Sequence, residues 1–493
     1  MGTNNLDTVV TSLEELTEEI TTTLPFKKVT RLFNTPRRLQ FNWPSFSVRH
    51  LKAKIPVVQG GMGVGISLSR LASAVADAGG IGVIAANGIG LLEKDYYTDG
   101  RAANLRALRR EIRSARARTD GIIGVNIMVA LEDFHELLAV AIEEQVDMVF
   151  MGAGLPIKGL PVEAMREAGV MAVPIVSSVR AAEMIFRMWK KIYSDVPDAV
   201  VFEGPLAGGH LGFSKEQLDD PDVQLQVVVP KLVEALLPFE EEFERTIPVI
   251  AGGGIYTGED IHEALALGAA AVQMGTRFVG TEECDADEAF KQAYVECTPE
   301  QIGLIDSPVG MPGRAIRNDF IRATEAGERP EFRCAWQCLA SCKADKAKYC
   351  ISVALNNARR GKLKHGFVFA GANAYRVKEI VPVAALVSEL AEGYRVTARE
   401  TVAGRLQQLV HTISSLCESY EAARLSLAEM RERYEQTLEA KIRSARSAGT
   451  AGLDAMEAQY ETTLARVQDL QFRLTAGLAD SWGVLRRWSA GTA

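Results

Sequence analysis

The chain has 493 residues, enough for about three domains or for one large barrel with additions. Its formal net charge of −8 disfavours general nucleic-acid binding, which needs clustered positive charge. Apolar residues make up 47% and charged residues 24%, as in ordinary globular proteins, so wholesale disorder is excluded. Only seven of the 42 glycines follow Pro382, the last proline, so a turn-rich first part precedes a proline-free final part.

The N-terminal arm, residues 1–50, begins with polar and acidic residues and has no basic region followed by an apolar run. No signal peptide is therefore evident, and no later stretch is apolar enough to predict a membrane span. Ser12 and Glu15 are spaced as a capping box, which predicts a helix over residues 12–23. We expect a cytoplasmic protein.

Eight short apolar runs alternate with helix-like segments between about residues 55 and 290. Each run is almost continuously apolar, as expected for parallel strands that are buried on both faces. Eight such units predict a (β/α)8 TIM barrel of the α/β class, with a doubly wound open sheet as the alternative. The runs are residues 55–61, 81–86, 122–128, 147–153, 173–178, 199–204, 247–254 and 270–278.

Glycines and small polar residues follow these runs, at the barrel end where active sites of this architecture lie. Bare backbone there offers unobstructed N–H donors, although any single glycine can equally serve a tight turn. The loops at 251–255 and 273–278 are the most specific, because in many barrels the loops after strands 7 and 8 bind phosphate. The sequence predicts a flat, phosphate-bearing cofactor over the barrel mouth.

Five ordered motifs resemble the nitronate monooxygenase family, formerly called 2-nitropropane dioxygenase, which includes flavin-type enoyl-acyl-carrier-protein reductases. The resemblance covers about residues 50–325. The motifs are Ile-Pro-Val-Val-Gln-Gly-Gly-Met-Gly at 55–63, Gly-Val-Asn-Ile-Met at 124–128, Gly-Pro-Leu-Ala-Gly-Gly-His-Leu-Gly at 204–212, and the two loops at 251–255 and 273–278.

This resemblance implies an FMN-binding barrel over residues 51–325. It assigns three groups of residues to the cofactor: one bordering the isoalloxazine ring, one contacting the flavin or its ribityl chain, and one holding the phosphate. It also places a histidine beside the flavin. In this assignment the isoalloxazine ring is bordered by Gln59, Gly60, Gly61 and Met62, and the flavin or its ribityl chain is contacted by Asn126. The phosphate is held by Gly253, Gly254, Gly275 and Thr276, and the histidine is His210, which follows Gly209 in the Gly-Gly-His motif.

His210 is the candidate catalytic residue on chemical grounds as well. A lone histidine is more often structural, but this one follows two glycines just after a predicted barrel strand. There, an imidazole can accept a proton or hold a negatively charged oxygen near neutral pH.

The leading functional hypothesis is an FMN-dependent nitronate monooxygenase, which oxidises a nitronate with dioxygen to a carbonyl compound and nitrite. One alternative is an enoyl-thioester reductase that uses NAD(P)H, with His210 orienting the thioester carbonyl. Another is a flavin-bound scaffold that acts through its C-terminal helices. The same site would serve both reactions, so the sequence leaves them open.

A Cys-rich module over residues 326–400 contains Cys334, Cys338, Cys342 and Cys350. Four clustered thiolates suffice for zinc or for an iron–sulfur cluster, and the alternative is a reduced, partly buried cysteine stripe. The segment 366–376 is predicted either as a lid over the barrel mouth or as a plain linker. The stiff loop 307–314 is a candidate for the substrate entrance.

The last segment, residues 401–493, carries two heptad patterns, at 406–434 and 453–474, separated by a Gly-containing turn at 448–452. They predict an antiparallel, coiled-coil-like helical hairpin. One pair of helices leaves apolar surface, so we expect a homo-oligomer or a protein partner here; an internally satisfied hairpin is the alternative. A small-molecule substrate is expected at the barrel, with no nucleic-acid partner.

Overall fold

The computed structural model describes residues 41–339 and 342–443, together with 458, 461–470, 472–473 and 476. The predicted helix at 12–23, the turn at 448–452 and most of the second heptad segment lie outside the described residues. The chain divides into two compact units, one formed by Trp43–Tyr394 and the other by Met1–Asn42 with Arg395–Ala493. The boundaries of the four predicted segments stay predictions.

The fold is confirmed as a closed (β/α)8 barrel of eight parallel strands. A hairpin of β1 and β2 precedes it, and the barrel strands follow in chain order. All eight predicted strands are present, because buried parallel strands leave an unbroken apolar trace in the sequence. The strands are β1 (Phe46–Val48), β2 (Leu51–Ala53), β3 (Val57–Gln59), β4 (Ile81–Ala85), β5 (Ile122–Met128), β6 (Met148–Gly152), β7 (Met171–Val176), β8 (Val200–Glu203), β10 (Val249–Gly252) and β11 (Ala271–Met274), with β9 (Gly209–His210) lying outside the barrel.

Helices alternate with the strands, as the helix-like segments between the apolar runs predicted. Thr257 caps one of them with a capping box that includes Asp260. The helices are α1 (Ser69–Asp77), α2 (Gly100–Arg116), α3 (Phe134–Glu143), α4 (Val162–Glu167), α5 (Val179–Tyr193), α6 (Leu225–Phe243), α7 (Gly258–Ala266), α8 (Thr276–Val279), α9 (Glu288–Glu296), α10 (Asp319–Glu325), α11 (Ile351–Arg359) and α12 (Val383–Arg443).

The barrel interior is packed by side chains from alternating strand positions, and the β1–β2 hairpin contributes to the same core. Phe46, Val48 and Ala53 cluster with inward residues near the strand starts, such as Val58 and Ile81. The hairpin therefore packs against the amino-terminal end of the barrel. The carboxyl ends of the strands remain for the site.

A second sheet, antiparallel, stands beside the carboxyl ends of the barrel strands. It is formed by β12 (Ile302–Asp306), β13 (Pro312–Ile316) and β14 (Val368–Phe369), and β9 pairs with β13. The sequence pattern did not predict this sheet, because its strands are short and come from three distant parts of the chain. It brings the loop after β8 next to the turn between β12 and β13.

In the second unit, residues 461–470 are helical and contact α12. The Thr463 hydroxyl donates to the Met430 sulfur over 3.6 Å, and Val467 and Leu470 are buried, as is Tyr420 of α12. These contacts agree with two helices packed together, while coiled-coil pairing and oligomerisation stay predictions. No helix in the described ranges is long and apolar enough to cross a membrane.

Candidate active site

His210 lies at the barrel mouth on β9, where the antiparallel pairing with β13 sets it opposite Gly313. Its Nε2 is 2.7 Å from the Ser307 Oγ, which belongs to the turn between β12 and β13. The Phe369 ring of β14 packs edge-on against the imidazole, with 5.0 Å between ring centroids. Three strands from distant parts of the chain thus fix one imidazole ring.

The surroundings of His210 keep its imidazole neutral. Burial lowers the pKa of His210 from 6.5 to about 4, because a charged ring would lose its hydration. The Ser307 Oγ also accepts a hydrogen bond from the Val309 N–H over 3.5 Å, which leaves its own proton free to donate to Nε2. Because the Ser307 oxygen keeps a second lone pair, the contact fits either tautomer of His210: Ser307 donates to Nε2, or Nε2–H donates to Ser307. At pH 7 the ring can donate a hydrogen bond but supplies no positive charge.

Glu203, the last residue of β8, is a second titratable group at this end of the barrel. Burial alone raises its pKa from 4.5 to about 7. No hydrogen bond to its carboxyl group is found within the described residues. In the sequence, Glu203 belongs to the apolar run 199–204, and a carboxylate at the end of a barrel strand is the signal that could have identified it.

The loop after β10 supplies bare backbone to the mouth. Gly253 and Gly254 have positive φ angles of 95° and 93°, which favour glycine. A Cβ added to Gly253 would lie 2.7 Å from the Gly204 carbonyl oxygen, so only glycine fits there. Within the described residues no acceptor takes a hydrogen bond from either N–H group. Two unengaged backbone donors after the seventh barrel strand fit a phosphate.

The segment 366–376 lies against this loop, while the choice between a lid and a linker packing on the barrel stays open. The Asn373 Nδ2 donates to the Gly254 carbonyl oxygen over 2.6 Å, and the Ala372 N–H donates to the Leu206 carbonyl oxygen. A Cβ on Gly371 would lie 2.6 Å from the Thr276 Oγ1, so the two residues are immediate neighbours. The segment therefore adds a wall beside the predicted phosphate residues Gly254 and Thr276.

The loop after β3 brings other predicted residues together. A Cβ on Gly61 would lie 2.3 Å from the Asn126 Cβ, and one on Gly275 would lie 3.6 Å from the Met62 sulfur. The Gly60 N–H donates to the Met274 carbonyl oxygen, which ties this loop to β11. Small residues from three strand ends thus adjoin one another, which suits a flat ring system.

Gln59 is placed differently from its neighbours in the motif. Its side chain is fully buried, and its amide binds the Gly60 carbonyl oxygen and the Val83 N–H. Gln59 therefore braces the barrel interior with the polar groups of its side chain. The cofactor roles of the predicted residues all stay predictions.

The four cysteines of the module lie around one cavity, which Tyr96 also lines. Burial raises the pKa of Cys338 to about 11, and the other three thiols act in the same direction. Across the described residues, no three Cys, His, Asp or Glu side chains converge closely enough to hold a metal ion. Binding of zinc or an iron–sulfur cluster by Cys334, Cys338, Cys342 and Cys350 stays a prediction.

The structure adds residues to the site that no motif identified as functional. Ser307 lies 97 positions after His210, and Arg314 donates to the carbonyl oxygens of Pro205 and Ala207 over 2.6 Å each. Both come from the loop 307–314, a candidate for the substrate entrance. No local spacing links them to the Gly-Gly-His motif, because their proximity arises from the β9–β13 pairing.

Comparison with known proteins agrees with this geometry. The family model described as "Nitronate monooxygenase" matches residues 45–393. A nitronate monooxygenase of Paraburkholderia phytofirmans is 27% identical over 380 residues, which cover 68% of this chain and 91% of that protein. The structure of FabK from Thermotoga maritima superposes with a TM-score of 0.55 and 30% sequence identity, covering 71% of this chain and 95% of the other.

A further relative acts on a coenzyme A thioester according to its name. The (3aS,4S,5R,7aS)-5-hydroxy-7a-methyl-1-oxo-octahydro-1H-indene-4-carboxyl-CoA dehydrogenase of Mycobacterium tuberculosis is 30% identical over 274 residues. The match covers 56% of this chain and 66% of that protein, so the chain spans just under two thirds of the relative's length. The family model covers most of the chain, and together with the closed barrel it shows that the chain belongs to the nitronate monooxygenase family of flavin-dependent oxidoreductases.

Proposed function

We propose that the chain is an FMN-dependent oxidoreductase that reduces the double bond of an α,β-unsaturated acyl thioester with electrons from NAD(P)H. The observation that carries this proposal is the neutral His210, held by Ser307 at the barrel mouth. A neutral N–H donor suits a carbonyl oxygen that is uncharged in the substrate and gains negative charge during reduction.

The residues of the chain position the substrate and the cofactor and polarise the substrate carbonyl group. With Nε2 accepting from the Ser307 hydroxyl, His210 presents its Nδ1–H to the thioester carbonyl. The N–H groups of Gly253 and Gly254 and the Thr276 hydroxyl hold the phosphate of the cofactor. Bound FMN supplies hydride chemistry between the nicotinamide and the substrate. Edge-on packing of Phe369 keeps the imidazole in place and excludes water from one side of it.

The CoA dehydrogenases among the relatives support the thioester class, while other relatives are nitronate monooxygenases. The indene-carboxyl-CoA dehydrogenase is 30% identical to this chain, while the Paraburkholderia nitronate monooxygenase is 27% identical. The difference is small, so the choice of substrate depends mainly on the charge of the site.

Nitronate oxidation is the second candidate function. It is favoured by the long match to the Paraburkholderia enzyme, which covers 91% of that protein. A nitronate is an anion, however, and a histidine with a pKa of about 4 gives it no cationic partner at neutral pH. We therefore rank nitronate oxidation below thioester reduction as the function of this site.

Anaerobic titration of the purified, FMN-loaded chain separates the two reactions. Its flavin absorbance is followed while NADH, NADPH, an alkyl nitronate and crotonyl-CoA are added in separate runs. We expect NADH or NADPH to bleach the flavin and crotonyl-CoA to restore its colour. A nitronate should leave the oxidised flavin unchanged.

Two results would contradict the thioester proposal. Bleaching by a nitronate alone, with no response to either nicotinamide, would favour nitronate oxidation. Failure of the folded chain to bind FMN at all would remove both flavin reactions. The variant His210→Gln, loaded with FMN, serves as the control: it should be bleached by the nicotinamide as before but be reoxidised slowly by crotonyl-CoA.

A further inference from the structure

The four cysteines of the module share a single cavity beside the active site. All four thiols line it, and the remaining wall includes the aromatic rings of Tyr96, Tyr97 and Trp336. Leu91 closes another side. The cavity is thus built by the segment around residues 332–353 folding onto the loop after β4.

The thiols interact with one another as a set. Each of the six possible pairs among them is close enough for the thiolates to interact electrostatically. None of the four forms a disulfide. Cys284 and Cys297, by contrast, are buried in the hydrophobic core beside the barrel, where a thiol serves as a small apolar group. The module cysteines are therefore arranged around a space, while these two fill one.

The size of that space distinguishes two kinds of ligand. A zinc ion needs four sulfurs at roughly 2.3 Å from one point. No three such side chains in the described ranges converge that closely. In an iron–sulfur cluster each thiolate binds a different iron at the outside of the cluster, so the ligand sulfurs stand farther apart. Four thiols around a cavity match the second arrangement.

Polar groups also belong to the same wall. The Trp336 Nε1 is buried and pairs with the hydroxyl of Tyr96, which lines the same cavity. Hydrogen bonds to cluster sulfurs are one of the ways in which proteins stabilise iron–sulfur centres. The Arg101 guanidinium lies 5.8 Å from the centre of the Trp336 ring, and Arg333 lies 5.8 Å from that of Tyr97. Arg333 lines the cavity, so its charge can compensate an anionic group, whereas Arg101 is paired with Glu136 at 3.3 Å.

We propose that this cavity binds an iron–sulfur cluster of the four-iron type, with Cys334, Cys338, Cys342 and Cys350 each ligating one iron. The co-reactants are two ferrous ions, two ferric ions and four sulfides, which together give a core of charge +2. On binding, four S–H protons leave as four bonds form from cysteine sulfur to iron, and no atom changes its oxidation state.

The cluster site adjoins the catalytic pair. Pro308 and Val309, which directly follow Ser307, also line the cavity. A bound cluster would fix this turn and thereby the hydroxyl that orients His210. The proposal does not depend on which substrate the flavin site takes, because it concerns metal content.

The test uses the full chain, purified without oxygen and incubated with equal amounts of ferrous and ferric iron, sulfide and dithiothreitol. Iron, zinc and acid-labile sulfide are measured per chain, and low-temperature electron paramagnetic resonance is recorded after reduction with dithionite. We expect about four irons and about four sulfides per chain. These readouts are independent of flavin colour and of activity.

The variants Cys338→Ser and Cys334→Ser should each lose most of the iron and the resonance signal. Cys334 is exposed, so its replacement leaves the fold intact even if the Cys338 variant proves unstable. Cys417→Ser, in α12, is the matched control and should keep the full iron content. Zinc without sulfide, no iron in the folded chain after incubation, or unchanged iron in Cys334→Ser would each overturn the proposal.

Discussion

The two ends of the candidate site differ in the chemical groups that form them. At one end, a pair of side chains, His210 and Ser307, is held between strands of the antiparallel sheet. At the other end, the backbone of Gly253 and Gly254 provides the donors, and the space is small because neighbouring chain passes close by. The first end should respond to changes in chemistry and the second to changes in volume.

At the glycine end, the change with the largest expected effect is Gly253→Ala. A methyl group there would lie 2.7 Å from the Gly204 carbonyl oxygen. Holding alanine at a φ of 95° would cost a further ~1–2 kcal/mol of backbone strain. The loop must therefore shift and displace the N–H donors. We expect FMN affinity to fall by on the order of 100-fold, measured by equilibrium dialysis with flavin fluorescence.

Gly169→Ala is the matched control for this change. Gly169 also has a positive φ, 73°, but nothing lies within 4 Å of its added Cβ, and it sits in the exposed turn after α4. Both variants carry backbone strain, while only one reshapes the mouth. Equal loss of FMN in the two variants would show that strain alone, and not the mouth, determines binding.

At the side-chain end, His210→Ala should lower kcat by about 10²–10³-fold, because one preorganised donor to the substrate oxygen is lost. FMN content should stay at the wild-type level, since the phosphate end is untouched. Steady-state kinetics with crotonyl-CoA and NADPH measure the effect. His135→Ala, on the exposed face of α3, is the control and should retain activity. A loss of bound FMN in His210→Ala would show that the two ends of the site do not act independently.

Glu203 makes the stability of the barrel depend on pH. Its pKa is about 7 in the folded protein and 4.5 in the unfolded chain, so the folded state holds the proton more tightly. The contribution of Glu203 to the free energy of unfolding is greatest below pH 4.5, where the carboxyl group is protonated in both states. That contribution falls by up to about 3 kcal/mol as the pH rises through 7.

Glu203→Gln removes this titration, so the Tm of the variant relative to wild type should rise between pH 5 and pH 8. Thermal unfolding at both pH values measures the difference. Glu163→Gln, at an exposed position of α4, is the control, and its Tm difference should stay constant. A constant difference for Glu203→Gln would mean that this carboxyl is ionised in the folded protein.

The smallest effect is expected for Ser307→Ala, which removes a positioning residue that acts through His210. One neutral hydrogen bond contributes about 1 kcal/mol, so kcat/KM should fall by roughly fivefold. Ser307→Thr keeps the hydroxyl and should restore most of the activity, which a purely structural role would not predict.

Because the pKa of His210 is about 4, its ring stays neutral between pH 5.5 and pH 8, and its titration should not change the activity of the wild type in that range. If Ser307→Ala and Ser307→Thr behave alike, the orienting role of the hydroxyl is excluded.

The barrel was predictable from the sequence because each of its strands is buried on both faces. All eight predicted runs are strands, and the glycine motifs lie at their carboxyl ends as expected. The residues that complete the site were less accessible. The sequence pattern leaves segment 366–376 open between lid and linker, and it does not indicate that Asn373 donates to the Gly254 carbonyl oxygen.

Local patterns and short motifs are enough to predict the barrel, the family resemblance and the position of His210. The neighbours of His210 cannot be predicted in this way, because the β9–β13 pairing joins residues about 100 positions apart. Only the tertiary structure decided that Gln59 braces the interior and that the four module thiols surround a cavity. Spacing along a chain predicts which face a residue takes, while the partner it meets depends on how distant segments pack.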